Sequence, residues 1–193
     1  MDMEGTKNIM IVGVGGQGTL LASKLLGRIL LENGFDVKVS EVHGMSQRGG
    51  SVVTYVRYGD EVHSPVIDVG EADFILSFEL LEAARWLPYL KKDGVLITNT
   101  QQINPMPVIS GAAEYPEHLA DKLKKTGADV RAFNALSKAL EAGSSKAVNL
   151  VLLGYLSTFF PFPEECWEHV IREGVPPKHI ELNIKAFKLG RME

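Results

Sequence analysis

A glycine-rich motif, GVGGQG, occupies residues 13–18, directly after an apolar run. The spacing of Gly13, Gly15 and Gly18 is that of loops in which a helix N-terminus binds a phosphate group. In such loops the first glycine makes a tight turn, the second lets backbone approach the ligand, and the third lets helix and strand pack closely. The following helix would offer free N–H groups and a partial positive charge to an anion. With Gly16, these glycines are candidate binding residues.

Three interpretations of this motif stay open at the level of spacing. The glycines can merely shape the turn of a Rossmann-like fold, or they can cradle a phosphate-bearing ligand. They can also bind a redox dinucleotide, since Glu41 lies 23 residues after Gly18, near where a ribose-binding acid would stand. Two observations weaken the dinucleotide interpretation. Glu41 runs directly into an unusual loop, and the next predicted strand follows without a connecting helix.

That loop, HGMSQRGG at residues 43–50, is the most distinctive stretch of the chain. Its glycines permit an irregular backbone, while methionine adapts to a partner and arginine forks onto carboxylate or phosphate. The composition predicts a contact loop for a coenzyme or a partner chain, the alternative being an ordinary surface turn. The candidate binding residues in it are Ser46, Gln47, Arg48, Gly49 and Gly50.

Isolated polar residues give weaker signals. His43 can titrate near neutral pH, although a hydrogen-bonded structural role is the preferred interpretation. Glu79 follows a predicted strand, where open α/β sheets bind ligands, but we favour a helix N-terminal acid. Asn99 and Thr100 end another strand and are weak site candidates. The single cysteine, Cys166, cannot by itself form a disulfide, a zinc site or an iron–sulfur site.

The composition excludes several classes of protein. With 193 residues, 45% of them hydrophobic, the chain can bury a sizeable core and is not a disordered type. Its net charge of -4, without a basic cluster, argues against nucleic acid. The most apolar run, residues 147–162, is shorter than a membrane span needs, and the N-terminus lacks a secretion signal. We expect a cytoplasmic protein with no membrane partner.

The elements that must position these residues alternate between strand and helix, with a helical end. This order predicts an α/β fold: a Rossmann-like, mostly parallel, doubly wound sheet with a helical C-terminal extension. We expect a single domain, with its α/β core at residues 1–133 and its extension at residues 134–193. The predicted strands are 8–13, 36–42, 51–58, 72–78, 94–99 and 128–133; the predicted helices are 17–33, 79–90, 116–125, 134–160 (broken near Gly143 and Ser144), 163–173 and 177–189.

The two loop motifs in their flanks, GVGGQGTLLASKLLG and EVHGMSQRGGSV, resemble the gamma subunit or domain of 2-oxoacid:ferredoxin oxidoreductases. The resemblance continues through ADFILSFELLEAARWLPYLKKDGVLITNT and reaches NLVLLGYLS and ELNIKAFKLG, so that it covers nearly the whole chain. The wording of the HGMSQRGG loop is most similar to the small (beta) subunit of the indolepyruvate enzymes of that family.

The resemblance implies a division of labour between chains. In that family a larger partner carries thiamine diphosphate with Mg²⁺ and iron–sulfur clusters, and the complex decarboxylates a 2-oxoacid, reduces ferredoxin and releases an acyl-CoA. This chain would then be a cofactor-free small subunit, inactive alone and with no catalytic residue of its own. The two loops would form a surface for coenzyme A or for the partner. The alternatives are a free-standing oxidoreductase that binds NAD or FAD, and a non-enzymatic nucleotide-binding scaffold module.

Overall fold

The computed structural model describes residues 5–42 and 49–193. Within them, six strands form one sheet in the order β2-β3-β1-β4-β5-β6. The strands are β1 (Lys7–Val14), β2 (Asp36–Val42), β3 (Ser51–Gly59), β4 (Ala72–Ser77), β5 (Leu90–Asn99) and β6 (Asp129–Phe133).

Eight α-helices follow or connect these strands in the part of the chain that the structure describes. They are α1 (Thr19–Glu32), α2 (Leu80–Trp86), α3 (Met106–Ile109), α4 (Leu119–Lys124), α5 (Ala135–Ala142), α6 (Val148–Ser157), α7 (Glu164–Gly174) and α8 (Ile180–Arg191). Single turns of 3₁₀ helix lie at Leu87–Tyr89, Ser145–Ala147 and Pro177–His179.

The sheet is mostly parallel, as predicted. Strand β1 pairs parallel with β4, β4 with β5, and β5 with β6. Strand β3 is antiparallel to both of its neighbours, β1 and β2. This one reversed strand has a local cause: only eight residues, 43–50, lie between β2 and β3, and antiparallel neighbours are the pair that a short connection can join.

The two faces of the sheet bury alternate residues of each strand, because side chains alternate across a strand. In β1, Ile9 and Ile11 belong to the core beneath α1 and α5–α8, whereas Met10 and Val12 belong to the core beneath α2 and α4. All four side chains are fully buried. A strand covered on both faces explains why the run IMIV is apolar without alternation.

The C-terminal helices form one layer of this core together with α1. Helix α6 is buried on almost every side, and it packs against α8. An aromatic cluster joins the layer, with Phe160 and Phe187 at ring-centroid distances of 5.9 and 5.7 Å from the ring of Trp167. The predicted break near Gly143 is confirmed, since α5 ends there with Gly143 in the left-handed conformation.

Element boundaries differ from the predictions where proline and glycine intervene. The helix predicted at 79–90 ends at Trp86, and a 3₁₀ turn that contains Pro88 follows. The helix predicted from residue 17 begins at Thr19, after a left-handed Gly18. The one-turn helix α3, in the stretch between β5 and α4 that contains Pro105 and Pro107, was not predicted.

The described residues offer neither a membrane-spanning helix nor a group of metal ligands. Of the helices in residues 5–42 and 49–193, none combines the length and apolarity needed to cross a membrane. Over the same ranges, no three His, Cys, Asp or Glu side chains are grouped so that they could hold a metal ion.

Two tyrosine hydroxyls have opposite surroundings. Tyr58 is fully buried, and its hydroxyl has no hydrogen-bond partner among the residues that the structure describes. The hydroxyl of Tyr115 donates to the carboxylate of Glu79. Burial is the main cause that raises the pKa of both phenols above the ordinary value, with the Glu79 hydrogen bond as the second cause for Tyr115.

We expect Tyr58→Phe and Tyr115→Phe to change stability in opposite directions. Removing the unpaired hydroxyl of Tyr58 should raise the free energy of unfolding by about 1 kcal/mol, whereas removing that of Tyr115 should lower it by about 1 to 2 kcal/mol. Folding raises the pKa of both phenols, so the folded state favours the neutral form of each tyrosine. The wild-type stability is therefore unaffected by these two groups below pH ~10 and falls as pH rises further. Urea unfolding between pH 7 and 11 measures both effects. If Tyr58→Phe is less stable than the wild type at pH 7, the Tyr58 hydroxyl is not unpaired in the folded protein.

Candidate functional site

The glycine motif forms the turn from β1 into α1, although Gly13 does not have the role in that turn that its spacing predicts. Gly13 is still inside β1, where it pairs with Val52 of β3. The turn comes later, with the N–H of Gln17 donating to the carbonyl of Val14 at 3.2 Å and Gly16 at a φ of 103°. The expectation that Gly13 makes the tight turn was therefore wrong.

Gly13 is instead required by close packing. A Cβ at this position would lie 2.9 Å from Oε1 of Gln17 and 3.0 Å from Cβ of Phe78. Its absence leaves space for the Gln17 side chain to fold back over the ends of β1 and β4.

The two motifs meet through the backbone. The N–H of Gly15 donates to the carbonyl of Gly50 at 2.9 Å, and the N–H of Gly49 donates to the carbonyl of Gly15 at 3.3 Å. The exit of the HGMSQRGG loop is thus joined to the glycine loop, and the candidate residues Gly15, Gly16, Gly18, Gly49 and Gly50 share one edge of the sheet. Ser46, Gln47 and Arg48, with His43, lie outside the described residues.

The first turn of α1 has the properties of an anion-binding helix end. Gly18, at a φ of 87°, precedes the helix without a capping side chain, and the first turn has no acidic residue. The N–H dipoles of this turn are therefore offset neither by a capping side chain at Gly18 nor by an acidic residue within the turn. From α6, which belongs to the same layer as α1, the amide of the buried Asn149 donates to the Gly18 carbonyl at 3.4 Å.

Open pockets flank the glycine loop on both sides. The first, of about 360 Å³, lies between Gly15, Thr19, the end of β2 at Val42 and residues 52–54 of β3. The second, of about 500 Å³, is lined by Gln17, Gln101, Ser145 and Lys146, among others. From β1 the chain continues through α1 to β2, which lies on one side of β1 in the sheet, whereas β4 lies on the other side of β1. Open α/β sheets bind ligands at such a switch point in the strand order.

A third pocket, of about 220 Å³, lies between Gly49 and α2 and contains two buried carboxylates, Glu79 and Glu82. Glu79 is the N-cap of α2, because its carboxylate accepts from the N–H of Glu82 at 2.9 Å. The interpretation of Glu79 as a helix N-terminal acid is therefore confirmed. The carboxylate also accepts from the N–H of Ile103 at 3.0 Å and from the Tyr115 hydroxyl.

Sequence reasoning missed Glu82. It is 4% exposed and accepts hydrogen bonds from the Ser51 hydroxyl, from Nε of Arg85 at 3.2 Å and from Nε1 of Trp86 at 3.2 Å. It thereby ties the first residue after the HGMSQRGG loop to α2. Its neighbours on α2 are apparent in the sequence, but Ser51 is 31 residues away and no local pattern connects the two.

The topology weakens the dinucleotide interpretation further. In dinucleotide-binding folds the strand that ends in the ribose-binding acid lies beside the first strand. Here β3 stands between β1 and β2, which moves Glu41 one more strand spacing, ~4.8 Å, away from the glycine loop. The Glu41 carboxylate accepts from the Ser23 hydroxyl of α1 at 3.2 Å. Its position favours a structural role.

Asn99 also has a structural role rather than an exposed site role. It is fully buried, and its side-chain oxygen accepts from the N–H of Ala135 at 3.2 Å, at the start of α5. The backbone N–H of Thr100 donates to the carbonyl of Phe133 in β6. Both weak candidates at this strand end therefore have structural roles.

Similarity to known proteins extends over the same length as the fold. The model of the family "Pyruvate ferredoxin/flavodoxin oxidoreductase" matches residues 8–193. Indolepyruvate oxidoreductase subunit IorB of Thermococcus kodakarensis is 49% identical over 190 residues, which are 95% of this chain and 93% of that protein. The subunit IorB of Methanothermobacter thermautotrophicus is 39% identical over 187 residues, covering 95% of each chain.

Solved structures share the fold at lower identity. Pyruvate oxidoreductase subunit PORC of Thermotoga maritima has a TM-score of 0.73 at 24% identity, over 97% of this chain and 96% of that one. A 2-oxoglutarate:ferredoxin oxidoreductase of Magnetococcus marinus also has a TM-score of 0.73, at 19% identity, over 97% of this chain and 30% of its own. The family match, the identity to the two IorB subunits and the shared fold together show that the chain belongs to the pyruvate ferredoxin/flavodoxin oxidoreductase family, and the relatives named above are subunits of enzymes that oxidise 2-oxoacids.

Proposed function

We propose that this chain is the small subunit of an indolepyruvate-type 2-oxoacid:ferredoxin oxidoreductase. The observation that supports it most is the graded similarity. Identity is 49% to the indolepyruvate subunit of T. kodakarensis, but 27% to a 2-oxoglutarate synthase subunit and 26% to a pyruvate synthase subunit. The margin favours an aryl pyruvate as the substrate of the assembled enzyme.

The reaction proposed for the complex joins three exchanges. The bond between the carboxylate and the 2-oxo carbon breaks and CO₂ leaves, two electrons pass to two ferredoxins, and the acyl group forms a thioester with coenzyme A as the thiol proton is released. Thiamine diphosphate, held with Mg²⁺ on a larger partner that also carries iron–sulfur clusters, would supply the carbanion chemistry. We assign no catalytic residue to this chain.

The contribution we propose for this chain is its glycine-loop edge, as a contact surface for coenzyme A or for the partner. The first turn of α1, which has no capping side chain and no acidic residue, suits a phosphate group. Lys146, exposed at the second pocket, has no ion pair with any residue in the described ranges and adds a positive charge. The backbone pairing of Gly15 with Gly49 and Gly50 joins the two motifs into one surface.

Reconstitution tests the proposal. The chain and its large partner are purified separately and mixed, and ferredoxin reduction is followed with indolepyruvate, pyruvate and 2-oxoglutarate as substrates. We expect activity only when both chains are present, with indolepyruvate preferred. Full ferredoxin reduction by the partner alone would refute a subunit role, and a preference for pyruvate or 2-oxoglutarate would refute the substrate assignment.

Arg48 is the side chain of the HGMSQRGG loop for which we expect the largest effect on assembly. An arginine that anchors a partner or a coenzyme phosphate makes several charge-assisted hydrogen bonds, and its truncation costs about 2 kcal/mol, roughly thirtyfold in affinity. We expect Arg48→Ala to keep its melting temperature, and either to weaken assembly with the large subunit or to raise the KM for coenzyme A.

The controls separate a guanidinium role from a general charge effect. Arg48→Lys should rescue only in part, because an ammonium group lacks the planar fork. Arg131→Ala removes an exposed arginine that pairs with Asp129 on β6, and it should leave assembly unchanged. Wild-type assembly together with wild-type coenzyme A dependence in Arg48→Ala would show that the loop is an ordinary surface turn.

A further inference from the structure

We propose that Gln17 is a positioning residue: its side-chain amide extends the pairing of β1 with β4 by one step and thereby fixes the glycine loop at the ligand-facing edge. This inference rests on the proposed function for its consequence, since it concerns how the contact surface is held. Its structural premise stands on hydrogen bonds within the chain.

The amide of Gln17 takes the place of a peptide group. The last backbone hydrogen bond between the two strands runs from the N–H of Phe78 to the carbonyl of Val12, at 2.9 Å. One step further, the N–H of Val14 donates to Oε1 of Gln17 at 2.7 Å, and Nε2 of Gln17 donates to the carbonyl of Phe78 at 3.1 Å. An acceptor and a donor on one planar amide therefore bridge the two strand ends, as a backbone peptide would.

Both backbone groups of Val14 depend on residue 17. The Val14 carbonyl accepts from the Gln17 backbone N–H at 3.2 Å, and the Val14 N–H donates to the Gln17 side chain. Val14 is only 9% exposed, so loss of the side-chain acceptor would leave a nearly buried N–H unpaired. The turn is thus closed on itself by one residue, and the space for that closure exists because residue 13 is glycine.

The same amide connects the loop to the rest of the edge. The Phe78 carbonyl also accepts from Nδ2 of Asn99 at 3.3 Å, and the Asn99 oxygen accepts from the N–H of Ala135 at the start of α5. A continuous series of hydrogen bonds therefore runs from the glycine loop across β4 and β5 to α5. Polar networks that satisfy all their members rigidify the part of the fold that contains them. The start of α1 is held in place as a consequence.

The variant that tests this is Gln17→Met, which keeps the length and volume of the side chain but has no amide. Gln102→Met is the matched control, because Gln102 is exposed in the loop after β5 and its side chain has no hydrogen bond or ion pair among the described residues. The first measurement is amide hydrogen exchange at Val14 in the full chain. We expect protection at Val14 to fall by about tenfold or more in Gln17→Met, with no change in Gln102→Met.

The second measurement uses the reconstituted complex, with coenzyme A as the probe. We expect Gln17→Met to raise the KM for coenzyme A by about tenfold while kcat stays within about twofold, a split that general destabilisation would not produce. Gly18→Ala, which places a Cβ 2.9 Å from the Asn149 amide at a positive φ, serves as the reference variant for the glycine loop.

The outcomes separate this inference from the function on which it rests. Unchanged exchange at Val14 in Gln17→Met would overturn the inference directly. A raised KM in Gly18→Ala with a wild-type KM in Gln17→Met would overturn positioning by Gln17 while supporting the coenzyme A surface. A wild-type KM in both variants, together with lost protection at Val14 in Gln17→Met, would refute the coenzyme A surface while supporting the positioning of the loop by Gln17.

Discussion

Replacing Gly154 or Gly190 by alanine should lower the free energy of unfolding by about 3 kcal/mol or more, the largest loss we expect from a single methyl group. These glycines lie where α6 crosses α8. A Cβ on Gly154 would lie 2.1 Å from the carbonyl oxygen of Phe187, and one on Gly190 would lie 1.9 Å from that of Val151. Both contacts are with backbone, so no side-chain rotation can relieve them.

The two helices would have to separate, and the loss would spread through the core. Helix α6 lies at the centre of the helical layer, with almost all its side chains buried. A wider crossing would reduce dispersion contacts along its whole length, which close-packed interiors do not tolerate. For a chain of this size we expect the melting temperature to fall by about 6–12 °C.

Gly27→Ala is the matched control. Gly27 is also a buried helical glycine, but a Cβ there would meet nothing closer than Val39 at 3.6 Å, an ordinary contact. Alanine is favoured over glycine inside a helix, so this variant should be more stable by about 0.5–1 kcal/mol. Thermal unfolding of the three variants measures both signs. If Gly154→Ala and Gly190→Ala melt with the wild type, the α6–α8 crossing is not as close as the structure has it.

Whether such a crossing exists could not be predicted from the sequence. The apolar residues of α6 lie on all sides of the helix, which predicts burial on several sides, and the structure confirms this. The pattern does not show which element packs against each side of α6. Gly154 meets Phe187, 33 residues further along the chain, and a contact of that kind has no local signature. Residues 134–193 could therefore be predicted as helices, but not as the layer that closes the core.

The candidate site divides in the same way. Composition and spacing were enough to find GVGGQG and to place it between a strand and a helix, because both signals are local. The roles of its residues depended on distant groups. Gly13 faces Phe78, Gly15 pairs with Gly50, and Gly18 touches Asn149. Spacing alone therefore placed the motif correctly between a strand and a helix, but it gave the wrong role for Gly13.

The position of Glu41 illustrates the same limit. At 23 residues from Gly18 it has the spacing of a ribose-binding acid, and spacing cannot show which strand lies beside β1. The sequence did predict the strands 36–42 and 51–58 in succession without a connecting helix, and this pointed to an irregular order. Because only eight residues lie between β2 and β3, β3 returns antiparallel beside β2 and stands between β2 and β1.

Glu79→Ala should lower the free energy of unfolding by about 3–5 kcal/mol and loosen the third pocket. Three donors depend on this carboxylate: the N–H of Glu82, the N–H of Ile103 and the hydroxyl of Tyr115. A buried donor without an acceptor costs about 1–3 kcal/mol, and the loss of a helix cap alone costs about 1 kcal/mol. Because Glu79 is 1% exposed, water would not readily replace the missing oxygens.

Two further variants make this expectation specific to the carboxylate. Glu79→Gln keeps one acceptor and nearly the same volume, so its cost should fall between the wild type and Glu79→Ala. Glu114→Ala removes an exposed acid beside Tyr115, and it should change stability by less than ~0.5 kcal/mol. Urea unfolding gives the free energies, and hydrogen exchange at Ile103 reports on the loop that Glu79 holds. If Glu79→Ala unfolds at the wild-type urea concentration with Ile103 still protected, the loop is held by contacts other than this carboxylate.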